Sequence, residues 1–120
     1  MIIYTIMAKF KVKLNDLEIR ALAMTAANVG INGPKADSLQ ALMIFETLER
    51  LVSRIRNMYR PDLKKYCLRL SSIETHVVMT VLVGVMRDGG DPYMVSLGNR
   101  IDESLYNQVN TEINIYNAMR

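Results

Sequence analysis

The chain has 120 residues, half of them apolar, a formal net charge of +3, one cysteine and one histidine. That length and balance suit one domain over residues 1–120, with a real core and an ordinary charged surface, and they argue against a disordered chain. With Cys67 and His76 alone of their kinds, an intramolecular disulfide and a cluster of soft or imidazole ligands are excluded, so neither a metal site nor a cofactor is expected.

The opening MIIYTIMA has no basic residue ahead of it and is too short for a signal-peptide core with its cleavage site. No apolar run approaches the roughly 18 residues that span a bilayer, so the expectation is a cytoplasmic protein without a membrane partner. Met7, at the head of MAKFKVKL, is an alternative start to Met1.

A strand is predicted over 2–14, because Phe10, Val12 and Leu14 alternate with Lys9, Lys11 and Lys13 in the two-residue repeat of a half-buried strand. Asn15 stands three residues before Glu18, the spacing of a capping box, and starts a helix over 16–29. Gly30 is expected to end that helix in the left-handed conformation, and Asn32-Gly33-Pro34 to turn the chain. Asp37 or Ser38 caps a second helix, 38–60, which Pro61 stops.

KYCLRLSSIE, residues 65–74, then repeats the opening grammar: Tyr66, Leu68 and Leu70 alternate with Lys65, Cys67 and Arg69, and Ser71 stands three residues before Glu74. A second strand, 65–70, and a helix, 72–87, follow. The run VVMTVLVGVM, 77–86, suits a buried strand as well as a buried helix. Its counterpart 56 residues earlier, ALAMTAANVG, is rich in alanine, and that decides for a helix at the centre of the core. A turn over 88–91 and a helix over 92–118 complete the chain.

Residues 9–26 and 65–82 agree as apolar or polar at 14 of 18 positions, where chance gives about nine. Leu39, Met43, Thr47, Leu51, Ile55 and Tyr59 are spaced by four, as are Tyr93, Leu97, Ile101, Leu105, Val109 and Ile113 at an offset of 54. The chain therefore reads as two tandem strand-helix-helix units, about 9–60 and 65–118, forming a mainly helical α+β fold with paired short strands and four helices.

Charge is uneven: net zero over 1–49, +6 over 50–69, where seven basic residues face only Asp62, and −3 over 70–120. Arg50, Arg54, Arg56 and Arg60 fall opposite the apolar stripe of their helix and form a secondary basic face. On the strands, five of the six outward positions are cationic.

A strand, a capped helix and a longer helix, with Leu22, Ala26 and Gly30 spaced as LxxxAxxxG, resembles the ribbon-helix-helix family of DNA-binding proteins. The resemblance covers 9–52 and, more faintly, 65–109. It implies paired strands lying in the major groove, with Lys9, Lys11, Lys13, Lys65 and Arg69 facing bases and the helix start at Ser38 meeting the phosphate backbone. The chain departs from the family in a longer loop before Ser38, a long second helix, two units in one chain, and Met86 where the second unit lacks the helix-ending glycine. Only residues 61–64 join the second helix to the second strand, so a domain-swapped or side-by-side arrangement stays open.

The expected function is non-enzymatic DNA binding, as a small regulator, with double-stranded DNA as partner. The alternative is an assembly module. Leu42, Met43, Ile44 and Phe45 cover more than half a helical turn with apolar side chains, too wide for one small core, and predict a self-associating interface.

Overall fold

Alternation decides the strands. In the computed structural model, which describes residues 9–120, β1 (Phe10–Asn15) buries Phe10, Val12 and Leu14, and β2 (Lys65–Leu70) buries Tyr66, Leu68 and Leu70. Each strand turns its other side chains to solvent. The two pair antiparallel with Phe10 opposite Leu70, Val12 opposite Leu68 and Leu14 opposite Tyr66. The part of the predicted first strand before Lys9 lies outside the described residues.

The strands meet directly within one chain because the helices between them run out and back. Helix α1 (Asp16–Asn32) leaves β1 and α2 (Leu39–Met58) returns toward β2. The Asp16 N–H donates to the Lys64 carbonyl at 3.1 Å, tying the exit of β1 to the entry of β2. Both capping boxes form: Asn15 Oδ1 accepts from the Glu18 N–H at 2.8 Å, Ser71 Oγ from the Glu74 N–H at 3.3 Å, and both glutamates reach back to the cap N–H.

Helix α1 does not stop at Gly30. It runs on to Asn32, and the Gly33 N–H closes it on the Val29 carbonyl at 2.9 Å with an ordinary φ of −74°. Glycine suits that end for lack of a Cβ, which would lie 2.3 Å from the Val29 oxygen. The left-handed glycine is instead Gly90, φ 74°, between the third and fourth helices.

The valine-rich run is helical. Ser72–Val77 and Val83–Asp88 are α-helical and join through a π-helical turn at Val78–Leu82, together forming α3. In a plain α-helix, five residues advance about 500°, which would swing Leu82 some 140° away from Val77. The wider turn keeps Val77 and Val78 on the same face as Leu82 and Val83, and all four are buried. Asp91 caps α4 (Pro92–Ala118), its carboxylate accepting from the Tyr93 N–H at 3.0 Å.

The core is one cluster in which Ile19 and Leu22 of α1, Leu48, Leu51 and Ile55 of α2, Val78, Leu82 and Met86 of α3, and Leu97, Ile101 and Leu105 of α4 meet the inner strand face. The exposure pattern of 42–60 recurs at 92–110, an offset of 50 rather than 54. Leu51 and Ile101 are buried alike in that pattern, as are Ile55 and Leu105. A set of residues spaced by four matches itself when slid by four, so sequence similarity alone leaves the register open by one turn. The result is a mainly helical α+β fold with a two-stranded antiparallel sheet.

Candidate nucleic-acid interface

Because Phe10, Val12, Leu14, Tyr66, Leu68 and Leu70 go inward, the pleat leaves Lys11, Lys13, Lys65, Cys67 and Arg69 together on the outer face, with Lys9 just before it. All six are exposed. The register sets Lys11 opposite Arg69, Lys13 opposite Cys67 and Asn15 opposite Lys65. Like charges directly across a ribbon repel, and an anion laid on the face relieves that repulsion. Among the described residues Lys11, Lys13, Lys65 and Arg69 have no ion-pair partner, whereas Lys9 Nζ sits 3.5 Å from Glu112 of α4.

Side chains reach both edges of the ribbon. On the β1 edge, the Lys11 N–H donates to Gln108 Oε1 at 3.0 Å, and Gln108 Nε2 donates to the Lys11 carbonyl at 2.8 Å. On the β2 edge, Arg54 of α2 donates to the Arg69 carbonyl at 2.7 Å and pairs with the buried carboxylate of Glu74 at 2.9 Å. At Lys11 and Arg69, edge backbone groups are thus engaged inside the molecule.

The second helices run antiparallel to the strands they flank. Along α4, Gln108 meets Lys11 and Glu112 meets Lys9; along α2, Arg54 meets Arg69, and the Tyr66 hydroxyl donates to the Arg60 carbonyl at 2.7 Å. Ser38, whose hydroxyl caps α2 by accepting from the Ala41 N–H at 3.1 Å, lies sixteen residues before Arg54. That separation is about 24 Å of helix, beyond the Leu70 end of the ribbon. The strand cations come together on one face, and Ser38 does not join them.

Of the predicted basic helix face, Arg50, Arg56 and Arg60 are exposed, while Arg54 is drawn into the fold by Glu74 and the β2 edge. Of the apolar quartet, Leu42 and Met43 are 45% and 42% exposed, whereas Ile44 and Phe45 pack against the core. Ile31, Leu39 and Met24 are also exposed, at 79%, 73% and 72%.

Near the closed end of the ribbon, Tyr59 stacks on Tyr66 with ring centroids 5.8 Å apart. The Asp16 carboxylate near Tyr59 raises its phenol above the ordinary value of 10.0, and Arg20 opposes it. Gln108, Glu112 and the Asp16–Tyr59 pair escaped sequence reading, since their partners are far away in the chain and no local spacing marks them.

Among the described residues no group of three His, Cys, Asp or Glu side chains is placed to hold a metal ion, and no helix is long and apolar enough to cross a membrane. No protein-family model, curated protein or solved structure matches the chain.

Proposed function

We propose that this protein is a non-enzymatic, cytoplasmic DNA-binding protein, a small regulator that lays its two-stranded ribbon in the major groove of double-stranded DNA. The observation carrying the reading is the single exposed face on which Lys11, Lys13, Lys65 and Arg69 stand without ion-pair partners among the described residues. A two-stranded ribbon fits a major groove about 12 Å wide, and lysine and arginine donors match the guanine O6 and N7 acceptors there. The ribbon-helix-helix resemblance and a tandem origin of the two units agree with a register in which Val12 faces Leu68, its counterpart 56 residues on. Arg50, Arg56 and Arg60 serve as a secondary, sequence-indifferent contact with phosphate.

Fluorescence anisotropy against random and genomic duplexes over a range of salt tests the proposal. If the three helix arginines meet phosphates, log affinity falls against log salt with a slope of about −2.7, and more steeply where the ribbon cations also displace counterions. The triple change Lys11→Glu, Lys13→Glu, Arg69→Glu is expected to abolish binding while the fold survives, because all three side chains are exposed. Absence of binding by the unaltered protein at low salt overturns the reading.

The exposed apolar side chains of Ile31, Leu39, Leu42 and Met43 support a second reading, a self-assembling interaction module.

A further inference from the structure

We infer that one ribbon recognises an imperfect inverted repeat, whose halves differ at the base pair facing Lys11 in one half and Cys67 in the other. This rests on the DNA-binding reading above. An antiparallel ladder has a local two-fold axis through each pair of directly facing residues. The axis through Val12 and Leu68 exchanges Phe10 with Tyr66 and Leu14 with Leu70, all of them buried, and exchanges the helix caps Asn15 and Ser71. The ribbon thus offers DNA two nearly equivalent halves, and a duplex with its own dyad is the target that uses both.

On the outer face the same axis exchanges Lys9 with Lys65, Lys13 with Arg69, and Lys11 with Cys67. The second exchange keeps a long, unpaired cationic donor in each half, and the first keeps a long cation in each half, although Lys9 sits 3.5 Å from Glu112. The third does not. Lys11 carries a four-carbon stem and an ammonium that donates to guanine acceptors, while Cys67 is short, uncharged as a thiol and only a weak donor. A guanine opposite Lys11 gains a charged hydrogen bond that the matching base pair opposite Cys67 cannot gain. Selection for that base pair therefore acts in one half only, and the pair facing Cys67 is free to vary or to present a thymine methyl to the small side chain. The protein consequently binds its site in one orientation.

The experiment is selection of bound duplexes from a random pool by the wild type and by Cys67→Lys, followed by anisotropy on two symmetrised duplexes built from each half. Every affinity is taken relative to a scrambled duplex, because an added cation strengthens all duplexes alike. The wild type is expected to select an asymmetric site. Cys67→Lys is expected to select a symmetric one and to bind the duplex built from the Lys11 half about tenfold better than the wild type does, the equivalent of about 1.4 kcal/mol. Lys11→Cys should reverse the preference between the two symmetrised duplexes. A perfect palindrome selected by the wild type, or an unchanged asymmetric site selected by Cys67→Lys, overturns the inference and leaves DNA binding standing. Selection of no duplex by either protein overturns DNA binding and this inference with it.

Discussion

Two residues show how differently local and distant chemistry enter the fold. Ser71 acts within its own turn, capping α3 from an 8% exposed position, so Ser71→Ala is expected to lower unfolding stability by about 1 kcal/mol in denaturant titrations. Tyr59 acts across the chain on Asp16. Its raised phenol pKa means that the folded protein holds the proton where the unfolded chain has begun to release it. The resulting stability is therefore complete below pH 10 and is lost as pH rises through the raised value. Tyr59→Phe should unfold more easily than the wild type at pH 8, and thermal unfolding scans should find the two converging above pH 10. The caps were legible because donor and acceptor are three residues apart. Arg54 with Glu74, twenty residues apart, and Gln108 with Lys11, ninety-seven apart, have no such local mark.

Elements were legible wherever composition changes abruptly. Pro61, Gly89-Gly90 and Pro92 bracket helices whose bounds agree with the reading to within a few residues, whereas the end of α1 was misread at Gly30 because a glycine inside a helix looks like one that ends it. The π-turn was hidden for another reason: a continuous apolar run has no periodicity to reveal an extra residue in one turn. Two helical glycines now separate by their surroundings. At Gly98 an added Cβ would lie 3.1 Å from Met86 Cβ, so Gly98→Leu should overpack the α3–α4 contact and cost about 1–3 kcal/mol. At Gly84 an added Cβ meets nothing within 4 Å, so Gly84→Ala should stabilise by up to about 1 kcal/mol. Chemical denaturation of both variants checks the contrast.

At the scale of the molecule, strand alternation foretold which face would be cationic, but not that α2 and α4 would reach the ribbon's edges, since that depends on packing between elements distant in sequence. The apolar quartet also divides. Ile44 and Phe45 are needed by the core, so a charge at Phe45 should unfold the protein rather than dissociate it, and the test of self-association belongs at Leu42 and Met43. Wild-type protein is expected to sediment as a dimer or larger species, and Leu42→Asp with Met43→Asp to sediment as a folded monomer. A wild type that is monomeric at high micromolar concentration removes the assembly reading.

The pairing of β1 with β2, and of Lys11 with Gln108, also sets a timetable for synthesis. At 5–20 residues per second, the ribosome needs about 3–10 s after Asn15 to reach Lys65, and about 2–8 s more to pass from Leu70 to Gln108. Through the first interval β1 has no partner, and through the second it has one but lacks its Gln108 contact. Lys11 and Lys13 on so short a strand, with Lys9 just before it, keep the nascent segment charged, and so discourage two neighbouring ribosomes on one message from joining their unfinished chains strand to strand. The same cations that would meet DNA in the finished protein would thus act first as guards on its own translation.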